Sequence, residues 1–360
     1  MNKQWLAARI PPGAFPVDDD FQLVDTPIPE PGENQMLTRT IYLSLDPYQW
    51  ARRHSDMVAV GDVCHGRTVS QVVKSRLAGY AEGDFVFNTN GWQEYGLSGK
   101  GISVFGYMHP RKIDPAQAPI STAIGIMGML GLTAYAGMAL QCEPKAGETV
   151  VVSAASGGVG QVASQIAKIY GCRTIGIAGI QKKCDFVTQV LGLDACVSHL
   201  NPSLAQDLKD ACPDGIDAYF ENVGGKVFDA VLPLLKPNSR ISLCGLISQY
   251  GNQQGYGHDA WRAQGQSTFE RQNVQVDDLH VGQFVDAHQT QFLHQMGIWV
   301  REGKIKYKED LWPGLEQAPV AFRALLEGGN FGKTIVGVGE DPSLDETIKN
   351  RRAGTDILHA

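Results

Sequence analysis

Several features are missing from this chain of 360 residues. No run approaches the ~18 consecutive apolar residues of a membrane span, so a membrane protein is not expected. The stretch MNKQWLAARIPPGAFP contains no apolar core of about 7–15 residues and does not read as a secretory signal. Basic residues form no block, and the formal net charge is −7. A nucleic-acid partner, which needs a clustered cationic face, is therefore not expected. The seven cysteines (Cys64, Cys142, Cys172, Cys184, Cys196, Cys212 and Cys244) are odd in number, scattered, and never spaced as Cys-x-x-Cys. That pattern predicts reduced thiols in a cytoplasmic protein, with no disulfide frame and no zinc ribbon. Disorder is excluded by a hydrophobic content of 43%, ample for buried cores.

What is present divides the chain in two, as its length suggests. Up to about residue 130 the sequence is heavily punctuated, with seven of the eighteen prolines falling by Pro47. Short apolar runs such as GRTVSQVV and EGDFVF sit between Gly and Pro clusters, which predicts a small, mostly β domain. STAIGIMGMLGLTAYAGMALQ then reads as helical and buried. From Gly147 the rhythm changes. ETVVVSA is an apolar run without alternation, as a strand covered on both faces should be. After it, Val159, Val162, Ala163, Ile166, Ala167 and Tyr170 recur on one helical face. Strands and helices then alternate with short links to about residue 250, which implies right-handed crossovers and a parallel sheet. Residues 250–290, rich in Gln, Gly and Tyr, break the pattern and read as a long functional loop. A helix, a glycine turn and a final strand follow, and the polar tail after Glu340 reads as loosely ordered.

The chemistry centres on Ser156, Gly157, Gly158, Val159 and Gly160. A strand precedes this turn and an amphipathic helix follows it. Glycines there let the backbone approach a pyrophosphate, and the helix N-terminus offers free N–H groups and the positive end of its dipole. About 20 residues on, a site selective for NAD carries an acid for the ribose 2′-hydroxyl. Here the segment is GIAGIQKKCD: the acid is missing and Lys182 and Lys183 stand in its place. That exchange removes repulsion against a 2′-phosphate and adds attraction, so NADP(H) is the expected cofactor.

Taken together, YLSLDPY (42–48), GWQEY (91–95), GLTAYAGM (131–138), VVVSAASGGVG, GIAGIQKKC, FENVGGKVFDAVL (220–232), CGLISQY (244–250), REGKIKYKED (301–310) and NFGK (330–333) resemble the medium-chain dehydrogenase/reductases. The closer resemblance is to the zinc-independent branch that holds prostaglandin reductases, leukotriene B4 dehydrogenase, plant double-bond reductases and curcumin reductase. The resemblance implies a GroES-like, mostly β catalytic domain at 1–130 and 315–360, and a Rossmann NADP-binding domain at 131–314. It implies that Lys183 pairs with the 2′-phosphate and that Asn222, Cys244, Ser248 and Asn330 belong to the cofactor site. Tyr250 would sit beside the substrate carbonyl and Tyr48 would line the same pocket. His199 stands where relatives commonly carry a tyrosine, at the adenosine phosphate. Homodimers are usual in the family. Leu45 occupies the place of a ligand cysteine in zinc-dependent members, and the adjacent pair Cys64–His65 is a poor chelate, so no metal is expected.

Without metal, negative charge on an enolate oxygen needs another donor, and a neutral tyrosine such as Tyr250 can supply it. The expected activity is NADPH-dependent reduction of the C=C bond of α,β-unsaturated ketones or aldehydes. An NADPH quinone reductase, and an NADPH-binding protein with little catalysis, stay open as alternatives.

Overall fold

The computed structural model describes residues 1–13, 15–54, 57–102, 109–250, 257–344 and 358–359. The chain falls into two compact units. One comprises residues 1–128, 309–330 and 334–357; the other comprises 129–308, 331–333 and 358–360. The expected joins lay at 130 and 314.

The first unit is the GroES-like one. Strands β1 (Asn2–Ala7) and β2 (Phe21–Thr26) form an antiparallel ribbon. Its main sheet holds β3 (Gln35–Ser44), β4 (Thr68–Ser75), β5 (Phe85–Asn88), β6 (Tyr95–Gly99) and β7 (Arg111–Ile113). β3 pairs antiparallel with both β4 and β6, β4 with β5, and β5 with β7. A short helix, α1 (Tyr48–Arg53), leaves the end of β3. The polar residues that punctuate these strands point inward and satisfy one another. Asn88 Nδ2 donates to Asn90 Oδ1 at 2.9 Å and Asn90 Nδ2 to Thr40 Oγ1 at 3.0 Å, all in buried positions. Buried amides and hydroxyls are tolerated because each finds a partner. The apolar core gathers Phe21, Trp50, Trp92 and Phe322, with Phe21 stacked on Trp92 at 5.4 Å.

The second unit is a Rossmann domain. Helix α2 (Met129–Tyr135) opens it and continues as a π-helical stretch over Ala136–Cys142. So the segment expected to be one helix is a 3-10 turn (Ile120–Ile124) followed, across the boundary, by this longer element. The alternation is then β8 (Thr149–Ser153), α3 (Gly160–Ile169), β9 (Arg173–Ala178), α4 (Gln181–Asp185), β10 (Ala195–Ser198), α5 (Leu204–Ala211), β11 (Ile216–Glu221), α6 (Gly225–Val231) and β12 (Leu235–Leu243). Every residue of β8 is buried, as its unbroken apolar run requires.

Residues 257–290 correct the loop expectation. They form α7 (His258–Gln272), β13 (Gln275–Asp278) and the start of α8 (Gly282–Arg301); residues 251–256 lie outside the described part. α7 hides its helical character because it buries little besides Trp261 and Gly265. Its end is set by Asn273 in the left-handed region at φ 50°, a conformation asparagine tolerates. β13 adds a sixth parallel strand beside β12. The sheet order is β10–β9–β8–β11–β12–β13, all parallel. Chain order therefore reverses between β8 and β11, and in such sheets ligands bind at the carboxyl ends of the strands at that reversal.

The remaining elements are β14 (Tyr307–Pro313), α9 (Ala318–Leu326) and β15 (Lys333–Gly337), the last pairing with β3 at Ile335–Gly337. Of the tail after Glu340 that was expected to be loosely ordered, residues 341–344 are described, with Asp341 buried and accepting from Tyr42 Oη at 2.8 Å; the rest lies outside the described part, apart from 358–359. Among the described residues no helix is long and apolar enough to cross a membrane.

Candidate cofactor and active site

The reversal point is organised by two strand ends. Ser153 closes β8, and Asn222 follows the last residue of β11. The Asn222 backbone N–H donates to Ser153 Oγ at 2.8 Å, and its Nδ2 donates to the Ser153 carbonyl at 2.7 Å. The two strand ends are thus tied, and the Asn222 amide orientation is fixed with its Oδ1 left on the other side. Beneath it lies Glu221, fully buried. Its Oε1 accepts from Tyr219 Oη (2.8 Å), Ser153 Oγ (3.0 Å) and the Val223 N–H (2.7 Å), and its Oε2 accepts from Trp261 Nε1 (3.2 Å). Burial raises the Glu221 pKa, against the hydrogen bonds from Val223 and Gly224, which lower it. This carboxyl joins β8, β11, the turn after β11 and α7. No local cue marks it, since Ser153 and Trp261 lie 68 and 40 residues away along the chain.

The glycine turn leaves β8 as expected. Ala154 takes the left-handed conformation at φ 49°, and the Gly157 N–H donates to the Ala154 carbonyl at 2.9 Å. Gly160 then starts α3. A Cβ there would lie 2.2 Å from the Ala154 carbonyl oxygen and 2.9 Å from Ala155 Cα, so only glycine permits this close return. Ser156 is buried and Gly157, Gly158 and Val159 are half-buried at the helix N-terminus. Gly157 also bridges Gly332 in parallel. The adjacent Phe331 packs edge-on against Phe186 at 5.2 Å, and the Lys182 ammonium sits over its ring at 5.8 Å. Of the two neighbouring lysines, Lys182 is thus turned to Phe331.

Lys183 is turned elsewhere. It is only 9% exposed, and its Cδ lies 3.9 Å from where a Cβ on Gly179 would be. His199 Nε2 lies 3.5 Å from the same point. Gly179 directly follows β9, so both side chains converge on the strand end where an NAD site keeps its acid. Burial, then the charges of Lys226 and Lys183, lower the His199 pKa. The Lys226 charge that acts on the ring comes from the first turn of α6. Sequence reading missed it because its approach to His199 depends on sheet order, not on spacing. Space and charge together suit a dinucleotide phosphate: a glycine cradle at a helix N-terminus and a cationic cluster at the next strand end.

Tyr250 follows a 3-10 turn, Ile247–Gln249, beyond β12. Its hydroxyl folds over Gly245, where a Cβ would lie 2.8 Å from the oxygen. Burial, assisted by the Cys244 thiol, pushes the phenol pKa up, so Tyr250 stays protonated at working pH. The Cys244 thiol is itself pushed up to about 12 by burial and is no nucleophile there. Ser248 donates to the Val223 carbonyl and so braces the turn that holds Asn222.

In the GroES-like unit, Tyr48 opens α1 and its hydroxyl lies 2.8 Å from His65 Nε2. Arg67, 1% exposed, stacks over the Tyr48 ring at 4.9 Å and pairs with Asp46 at 3.3 Å. Burial and the charges of Arg52 and Arg67 push the His65 pKa down to about 3, so His65 is a neutral hydrogen-bond partner. Asn330 is half-buried and is the last residue of this unit before Phe331. Leu45 is buried in the apolar core. Among the described residues no three His, Cys, Asp or Glu side chains converge as a metal site would need.

Two family profiles match the chain: one described as the N-terminal domain of oxidoreductase, over residues 3–104, and one as zinc-binding dehydrogenase, over residues 158–270. The NADPH-dependent curcumin reductase of Escherichia coli is 43% identical over 346 residues, covering 94% of this chain and 98% of that protein. The 2-alkenal reductase (NADP(+)-dependent) of Nicotiana tabacum is 36% identical over 352 residues, covering 94% and 98%. The crystal structure of CurA from Vibrio vulnificus in complex with NADPH superposes with a TM-score of 0.86 at 40% identity, covering 94% of this chain and 100% of that one.

Proposed function

The chain belongs to the zinc-independent medium-chain dehydrogenase/reductases and is an NADP(H)-dependent oxidoreductase; from that premise we propose that it reduces the C=C bond of α,β-unsaturated ketones and aldehydes. The observation that carries this reading is Tyr250, whose phenol hydroxyl stands over Gly245 beyond the carboxyl end of β12.

Bound NADPH supplies the hydride. The residues of the chain bind, orient and manage the proton. Gly157–Gly160 and the start of α3 would hold the pyrophosphate, while Lys183 and His199 would hold the 2′-phosphate. Asn222, locked to Ser153, would meet the cofactor through its Oδ1, and Cys244, Ser248 and Asn330 are further candidate cofactor contacts. Hydride addition at the β-carbon leaves negative charge on the carbonyl oxygen. The Tyr250 O–H would donate a hydrogen bond to that oxygen, where the interaction strengthens as charge develops, and a proton from solvent at the α-carbon then completes the saturated product. Tyr48, fixed between His65 and Arg67, lines the substrate side.

The test is a panel of enones, enals, quinones and saturated ketones, each assayed for NADPH consumption. Turnover of enones and enals with little on saturated ketones supports the reading; consumption driven by quinones alone would replace it.

A further inference from the structure

Lys226 has no part in the site outlined so far beyond its effect on His199. It begins α6 two residues after Gly224, while His199 follows β10 and Lys183 lies in α4. The strands are parallel, so β10 and β11 end on the same side of the sheet; α4 packs against β10, and α5 packs against both β10 and α6. The His199 N–H donates to the Ala178 carbonyl at 2.9 Å, which fixes the ring's origin beside the end of β9. Its Nε2 then lies over Gly179, next to the Lys183 stem.

The charges facing the ring are two cations, Lys183 from α4 and Lys226 from α6. The acids on the neighbouring elements are engaged elsewhere. Asp185 on α4 accepts from Gln181 at 2.8 Å, and Asp207 on α5 accepts from Asn201 and Ser203 at 3.2 and 3.0 Å. Lys182 lies over Phe331. Between two ammonium groups the ring is neutral near pH 7 and its Nε2 gains nothing from a proton. An arriving phosphomonoester, with about −1.5 to −2 charges, reverses the local sign.

Resting on the NADP(H) reading above, we propose that Lys226 completes the 2′-phosphate site with Lys183 and His199, and that His199 takes up one proton from solvent when that phosphate binds. The neutral ring gains H⁺ from the buffer, and the resulting N–H⁺ donates to a phosphate oxygen; no bond to the nucleotide forms or breaks. The cofactor preference is then proton-linked. A ligand that favours the protonated ring binds more tightly as pH falls from alkaline values toward the ordinary histidine range, near ~6.5. NADH, which lacks the phosphate, shows no such dependence.

The test is isothermal titration calorimetry of the full chain with NADPH and with NADH, near pH ~7, in buffers of different ionisation enthalpy. The expected result is a buffer-dependent heat for NADPH that reports proton uptake, and none for NADH. His199→Gln, which keeps a donor but cannot titrate, should abolish the uptake while NADPH stays preferred. Lys226→Gln should weaken NADPH about twofold to fivefold, the scale of an exposed charge pair, and leave NADH unchanged. NADPH preferred by the wild type without proton uptake would overturn this inference alone, as would uptake that persists in His199→Gln or a Lys226→Gln effect equal for both nucleotides. No preference for NADPH in the wild type would overturn the NADP(H) reading, and this inference with it.

Discussion

Replacing Lys183 with alanine tests the charge proposed to set cofactor choice. The side chain is 9% exposed and its stem lies along Gly179, with His199 Nε2 beside it. The ammonium is therefore held in place before the nucleotide arrives, and little rotamer entropy is lost on binding. A hydrogen bond to a charged group contributes about 1.5–3 kcal/mol. At ~1.4 kcal/mol per tenfold, loss of that bond raises the NADPH dissociation constant about 10-fold to 150-fold. The lower end is expected, because His199 and Lys226 remain. NADH, with no 2′-phosphate, should change by no more than about twofold. Losing the three methylenes of the buried stem also costs about 2 kcal/mol of stability, but that penalty falls equally on both nucleotides. Lys183→Met, which keeps most of the stem, separates the two effects. Nucleotide fluorescence titrations at low and high salt provide the assay, and the wild-type preference for NADPH should shrink with added salt. Equal weakening of NADPH and NADH by Lys183→Ala would refute the assignment.

Three further outcomes follow from the same geometry. Tyr250→Phe removes the donor to the developing oxyanion and should lower kcat about 10²- to 10³-fold with NADPH affinity unchanged in titration; full turnover would remove Tyr250 from the mechanism. Gly160→Ala places a methyl 2.2 Å from the Ala154 carbonyl, so the turn must open and both NADPH and NADH should lose binding in the same titration; normal affinity would show that the turn adapts freely. Trp261→Phe strips one donor from the buried Glu221 and should lower unfolding free energy by about 1–3 kcal/mol in urea, whereas an unchanged midpoint would mean that Glu221 finds another partner.

The parts legible in sequence share one property: their signal is local. The strand VVVS, the turn SGGVG and the helix after it lie in one continuous stretch, and each step has its own physical marker. Lys183 stands out in sequence because an acid is missing at a known distance from that turn. β13 was not, since QVDD carries no apolar run; as an edge strand it is paired on one side and partly exposed. α7 escaped for a similar reason, its buried face reduced to Trp261 and a glycine. The roles of Glu221, Lys226, and the His65–Arg67 pair around Tyr48 are set by sheet order and strand pairing, so spacing along the chain carries no trace of them. His199 was placed only by resemblance, and the structure brings it to Gly179 beside Lys183.

Hydride delivery to the β-carbon of an enone can be followed with NADPH carrying deuterium at the transferable position and a simple α,β-unsaturated ketone, with the product analysed by mass spectrometry and NMR. The expected product is a saturated ketone with one deuterium on the former β-carbon, formed at a rate that collapses in Tyr250→Phe. Deuterium on the carbonyl carbon, as an allylic alcohol, would contradict it.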